Sequence, residues 1–391
     1  MVVTKVVPVV PVVPPRNNIS WCFKPLFLWM RVLGIELDPV SNPYRQITFI
    51  YGLIMLLLCQ WASINLSANS NIFIVSSPIT ARSNNDSNIS TSTTLGWNLK
   101  IDIINNFFLM AIICPAFFYI AHSQRWLRLL DVMKKFDFAY CRLNRGERVR
   151  HFVFVGFVPI LSEIGIMIYN FKTSIQRVPN ASAYQIYLIS FAYFAKILPI
   201  SALVLFGSVV WQSAAFYGEI QQDVERNLSS KLKKENIGKW KRSLTLVDEL
   251  VDRINECFGL ILLVSIAHFF VEFIARSFYI IINCFLRNQL DLINMITMSS
   301  RIFLLWYFVC CPAKVQDNSV QVAISLRKVD YVDINLKNEI SFLTTDIIQN
   351  LPGVSALGYF EVNAQLIPKL IGTTLTYLVI LCQFQSSENK D

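Results

Sequence analysis

The stretch TTLTYLVILCQFQSSENKD, residues 373–391, closes the chain, and its reading decides what the rest must be. A helix facing only lipid has no use for a glutamine near its end, yet Gln383 and Phe384 stand just seven residues before the last. Thr373, Thr376, Ile380 and Gln383 recur at steps of 3, 4 and 3, which places them on one helical face. Small hydroxyls, an aliphatic residue and an amide are suited to lining a pore that is narrow, wet, uncharged and closable by dewetting. One helix cannot enclose a pore, so this reading requires several copies around an axis. A polar seam buried against the other helices of the same chain is the second reading, and on physics alone the two are evenly matched.

Outward from that stretch, the composition is that of a membrane protein. The 391 residues are 54% hydrophobic and 16% charged, with mean hydropathy +0.47, where soluble domains carry about 25% charged residues. Seven apolar runs are each long enough to cross a bilayer: 46–66, 101–121, 152–171, 184–210, 258–283, 293–312 and 359–384. Lipid offers backbone groups no hydrogen-bond partners, so each span is expected to be helical and the fold all-α. The N-terminal MVVTKVVPVVPVVPPR is cut by four prolines and forms no helical signal-peptide core; it reads as a polyproline-prone tail.

Lysine and arginine placement sets the orientation. With the N-terminus in the cytosol, the tail to Arg45, the loops 123–150 and 212–256 and the segment 313–350 hold 25 of them, against six on the other side. The net charge of +9 is therefore a topology signal and does not point to nucleic acid. Seven spans then leave the C-terminus outside, the inverse of a G-protein-coupled receptor. Asn65, Asn85, Asn88 and Asn180 head N-x-S/T triplets on the outer side and are candidate glycosylation sites, although chance triplets are common.

The expected organisation is a cytosolic tail (1–45), a six-helix ligand-binding bundle (46–312) with inner extensions at 123–150 and 212–257, an anchor segment (313–352), and the seventh helix with a short outer tail (353–391). Leu244, Val247, Leu250, Val251, Ile254 and Phe258 form an amphipathic stripe running into the fifth span, and Tyr217, Ile220, Val224 and Leu228 form another after the fourth. These stripes, with a further helix over 335–350, predict a cytosolic helical platform. WLRLLDVMKKF (126–136) is basic and amphipathic, fitting calmodulin or anionic lipid, but packing into the same platform is favoured.

Ionisable residues inside spans are candidates for function. His268, Glu272 and Arg276 lie four apart on one face of the fifth span, and Glu163 and Lys196 lie in the third and fourth. Glu272 and Arg276 either pin helices or form one polar wall of a ligand pocket. Tyr184, Tyr187, Phe191 and Tyr279 supply aromatic surface in the outer halves, as a small-molecule pocket needs. Nine cysteines show no metal spacing, three histidines make a zinc site improbable, and no cofactor motif or enzyme signature is present, so neither metal, cofactor nor catalytic residue is expected.

TYLVILCQF, Thr376 to Phe384, matches at all four fixed positions (Thr376, Tyr377, Gln383, Phe384) the TYhhhhhQF signature of insect gustatory receptors, where h is hydrophobic. The upstream ALGYFEVN (356–363) is similar to that family's entry into its last helix, while the residue-level match covers about the last 35 residues. The resemblance implies a ligand-gated cation channel, homotetrameric or combined with sister receptors, in the plasma membrane of sensory neurons. It places Gln383 and Phe384 at the outer constriction, Ile380 one turn below, and Thr376 and Tyr377 in support. Monovalent cations and some calcium would pass. Sugar-sensing members tend to carry an acidic residue after the TY pair; Leu378 stands there instead, which favours a bitter or plant-derived tastant over a sugar. An odorant-receptor-type subunit, a transporter and a G-protein-coupled receptor are the remaining alternatives.

Overall fold

The computed structural model describes residues 19–37, 45–68, 108–139, 145–177, 183, 186, 190, 196–227, 234–286, 292–329 and 334–388. Among them the architecture is all-helical. It comprises α1 (Ile19–Val32), α2 (Arg45–Ala68), a π-helical turn (Phe108–Ile113) continuing into α3 (Cys114–His122), α4 (Gln124–Ala139), α5 (Arg145–Arg177), α6 (Ile197–Asn227), α7 (Lys234–Leu286), α8 (Leu292–Arg327), α9 (Ile334–Gln349) and α10 (Leu366–Glu388).

Among the described residues, five helices each hold a stretch long and apolar enough to cross a membrane, within Val149–Tyr169, Ile197–Asn227, Lys234–Ile281, Asn294–Arg327 and Leu366–Phe384. The shorter apolar helices Gln46–Ala62 and Ala111–His122 fall on the first and second expected spans. Over residues 197–217 helix α6 is largely apolar on every face and correspondingly buried on every face, as the central helix of a bundle should be. Its closest partner is α8, packed along most of its length.

Two glycines allow that approach. Tyr307 of α8 lies in a slot between Gly156 of α5 and Gly207 of α6. A Cβ on Gly156 would come within 2.8 Å of the Tyr307 hydroxyl, and one on Gly207 would overlap its ring. Phe152 stacks on the same ring at 4.7 Å, and Ser208 meets its hydroxyl at 3.2 Å.

The expected platform is present. The amphipathic stripe of 240–258 and the fifth span form one helix, α7, of 53 residues, about 80 Å long at 1.5 Å per residue. Tyr217, Ile220 and Val224 of α6 and Trp240, Leu244, Val247 and Leu250 of α7 bury the two stripes in the platform core. Asp223 accepts from Lys239 and from the indole of Trp240, both at 3.1 Å, and Tyr217 donates to Asp248 at 2.6 Å. Burial pushes the Asp248 carboxyl above its ordinary value, against the opposing hydrogen bond from Tyr217. The basic helix α4 packs inward: Trp126 donates to the Leu37 carbonyl at 2.9 Å, and Phe136 stacks on Phe216 at 3.9 Å. That is the packing reading of 126–136.

Two elements depart from expectation. Within the segment 1–45, Ile19–Val32 is helical and buries Cys22, Phe23, Leu26 and Met30. Trp29 donates to Ser201 of α6 at 2.9 Å, and Arg31 pairs with buried Glu36 at 2.9 Å. The seventh helix starts at Leu366, not at residue 359. Residues 354–362 form a tight hairpin instead, with Leu357 (φ 52°) and Gly358 (φ 78°) at its turn, and Asn363 then caps α10 by accepting from the Gln365 amide at 3.1 Å. Apolarity alone does not separate a hairpin from the first turns of a helix.

Candidate functional site

Three helices bring their intramembrane charges to one layer. Arg301 of α8 is its centre: Nη2 reaches Glu163 of α5 at 3.1 Å, and Nε lies 3.1 Å and 3.3 Å from the two oxygens of Glu272 on α7. Arg276, one turn beyond Glu272, donates to it at 2.8 Å and to Asn294 of α8 at 3.0 Å. His268, one turn before, stands 3.4 Å from Glu272. Glu272 is 3% exposed and Arg301 5%, so these charges are held by one another and not by water. Two carboxylates and two guanidiniums balance, which is how buried charge is tolerated at membrane depth.

The structure thus joins Glu163, Glu272 and Arg276, all three expected as site residues, and adds Arg301 as the keystone. Arg301 also lies within an apolar run of the sequence, and the signal for it was two acidic groups on other spans needing a cation. Tyr279 is half-buried on α7, three residues past Arg276. Tyr184, Tyr187 and Phe191 lie outside the described residues, as do Asn85, Asn88 and Asn180; Asn65 lies in the last turn of α2. Beside the layer, Val158, Pro159, Ser162, Met295, Ser300 and Phe303 line a crevice of about 420 Å³ between α5 and α8. The larger cavity, about 520 Å³, lies at the opposite end in the platform, where Tyr217, Lys241, Asp248, Phe342 and Asp346 face it.

The last helix is arranged differently. Thr374 and Leu378, each 7% exposed, form its packed edge, and Tyr377 meets Phe270 of α7 edge-on at 5.8 Å. Thr373, Thr376, Ile380 and Gln383 all lie on the exposed side, with Phe384 at 66%. On a 100° helical step this stripe points away from Thr374 and Leu378. The Thr373 hydroxyl donates to the Lys369 carbonyl at 2.8 Å and the Thr376 hydroxyl to that of Gly372 at 3.0 Å. Each spends its proton on its own helix and leaves the oxygen as an acceptor. The reading of this stripe as a seam buried within its own subunit does not fit.

This order of helices, with long spans prolonged into a packed platform and a last helix packed along one edge, defines a multi-pass membrane protein of all-helical build. A model of the 7tm chemosensory receptor family matches residues 103–388, and the chain belongs to that family. It is a receptor and not an enzyme. No curated protein sequence matches it. Its fold is that of the insect olfactory receptor OR5 from Machilis hrabei. The structure of that receptor with eugenol aligns with TM-score 0.66 at 11% identity over 93% of this chain and 98% of the other. A second structure of the same receptor gives 0.64 at 11% identity over 93% and 97%.

Proposed function

We propose that this chain is a gustatory receptor acting as a tastant-gated, non-selective cation channel in the plasma membrane of sensory neurons. Its N-terminus and platform are cytosolic and its C-terminus is outside. Four subunits, identical or mixed with sister receptors, surround one pore lined by Thr373, Thr376, Ile380, Gln383 and Phe384.

One observation carries this reading: α10 packs on its own subunit along one edge, through Leu370, Thr374, Tyr377 and Leu378, while a polar, uncharged stripe stands exposed on the other side. A polar stripe at membrane depth needs water or a second protein surface, and a pore between symmetry copies supplies both. The hydroxyl oxygens at Thr373 and Thr376 face outward as acceptors, which favours cations over anions. The platform groove beside α9, with Phe342 69% exposed, supports assembly through the cytosolic ends.

The intact TY and QF pairs favour the gustatory branch. Leu378 packs against the bundle, where an acidic residue would lose its hydration, and this fits a bitter or plant-derived ligand better than a sugar. The small molecule binds in the outer half of the bundle. The paired charges of Glu163, Glu272 and Arg276 form the floor of its site, and Tyr279 contributes aromatic wall, with Tyr184, Tyr187 and Phe191 assigned to the same wall from sequence. Binding opens the pore to the extent that the open state binds the ligand better.

Patch-clamp recording from cells expressing the chain with G-protein signalling blocked, during perfusion with bitter plant compounds and sugars, is the test. Fast cation currents with a reversal potential altered by Gln383→Ala are expected. Chloride permeation, or currents abolished by the G-protein block, would overturn the reading.

A further inference from the structure

Between the platform and α10 the chain makes the hairpin 354–362, closed by Val362 N–H to Val354 O at 2.8 Å and Ala356 N–H to Phe360 O at 3.0 Å. Everything that reaches α10 through the backbone from α9 passes through it. It is held by a side chain of another helix. The amide of Asn255 on α7 donates to the Gly353 carbonyl at 3.0 Å and accepts from the Ser355 amide at 2.9 Å. One carboxamide thus pairs with an acceptor and a donor on one edge of the peptide chain, as a neighbouring strand would. One turn on, the hairpin lies against bare helix backbone: a Cβ at Gly259 would stand 3.0 Å from the Leu357 nitrogen and 3.4 Å from its Cα. Val354, Ala356 and Val362 are buried in the same contact. A weaker tie runs from Gln316 of α8 to Glu361 at 3.4 Å.

Asn255 and Glu272 are on the same unbroken helix, and 17 residues of α7 separate them by about 25 Å. An unbroken helix carries a displacement at its outer charged layer toward its inner end. We infer that Asn255 is the positioning residue through which α7 moves the start of the last helix, so that a displacement of the charged layer reaches the hairpin at 354–362 through this amide, beside the direct contact of Phe270 with Tyr377 further along α10. The inference rests on the channel reading for its consequence, but the coupling is measurable without a current.

The experiment uses the full chain in lipid nanodiscs, followed by hydrogen exchange, with spontaneous single-channel openings recorded from the same preparation in planar bilayers. Arg276→Ala perturbs the outer layer of α7. Exchange over 353–362 is expected to rise several-fold with Arg276→Ala in the native background, and not to rise further when Asn255→Ala is already present. Asn255→Ala alone should speed exchange at Ser355 about tenfold, the loss of one well-made hydrogen bond, and change channel dwell times at least threefold. Asn255→Asp, which keeps the acceptor for Ser355 and loses the donor to Gly353, should fall between. If Arg276→Ala leaves 353–362 unchanged in both backgrounds, or acts equally in both, Asn255 transmits nothing. If Asn255→Ala speeds exchange but leaves dwell times native, it is a brace and the coupling is refuted. A native chain that never conducts counts against the pore, while the exchange arm still decides Asn255.

Discussion

Helices α6 and α10 are comparably apolar, yet 89% of the apolar window of α6 is buried within the subunit and 11% of that of α10. Hydropathy alone would treat them as equivalent spans. What separates them is where their polar groups go. On α6, Ser201 and Ser208 are enclosed and bonded to neighbours inside the bundle, Trp29 and Tyr307 among them. On α10 Thr373 and Thr376 donate to their own helix, and Gln383 lies on the exposed side. A helix whose polar groups are answered inside the subunit serves the fold. One whose polar face is left outward serves something beyond the subunit.

The sharpest way to break that contrast is to make the interior fail. Arg301→Ala removes the guanidinium shared by Glu163 and Glu272. Arg276 still serves Glu272 at 2.8 Å, whereas Glu163 is left as a buried charge. The expected loss is about 3–5 kcal/mol, the usual consequence of stripping one partner from a buried pair, read as lost surface expression and thermal stability. Adding Glu163→Gln should restore most of it; no restoration would mean the layer is not organised around Arg301.

Next in size is a steric test of the interior. Gly207→Ala drives a methyl group into the Tyr307 ring, and an overpacked interior of this kind loses about 1–3 kcal/mol. The same change at Gly372 of α10, where an added Cβ meets nothing within 4 Å, should leave thermal stability unchanged. Equal losses at the two glycines would erase the difference between the helices. A smaller effect belongs to Trp29→Phe, which removes the donor to Ser201 while Ser201 keeps its bond to the Ile197 carbonyl at 2.8 Å. About 1 kcal/mol is expected, measured by thermal denaturation in detergent, and it would confirm that α1 is part of the bundle.

How much of this could be read in advance follows the same division. The spans, the platform stripes and the outward face of α10 are periodic features, and periodicity is local: Leu244, Val247 and Leu250 announce their buried face without knowledge of any partner. The charged layer was legible only in part, because Glu272 and Arg276 are neighbours along one helix while Arg301 meets Glu163 across 138 residues. Helix α1 was concealed by the apolar, proline-cut segment before it and by its own Pro25, which lies inside the helix. The hairpin at 354–362 was absorbed into the seventh span because Tyr359 and Phe360 continue its apolar run. Asn255 gave no signal at all, since its partners are backbone atoms about a hundred residues away.

The last prediction has the smallest effect on the fold and the largest on what the fold is for. Gln383→Ala shortens an exposed side chain on a helix that contributes little to its own subunit's interior, and surface substitutions of this kind change stability by less than about 0.5 kcal/mol. If α10 were a packing helix, nothing else would follow. If it lines a pore, Gln383 supplies the amide at the narrow outer end, and its loss removes both a carbonyl acceptor for cations and bulk from the constriction. The permeability ratio among sodium, potassium and calcium should shift, and unstimulated conductance should rise, while the concentration of tastant giving half-maximal current stays near its native value. Tyr279→Ala on α7 should do the reverse, moving potency and leaving selectivity intact. Two mutants that both moved only potency would place Gln383 with the ligand-binding helices and dissolve the distinction between interior and outward polar faces; two separable effects would fix it to named residues.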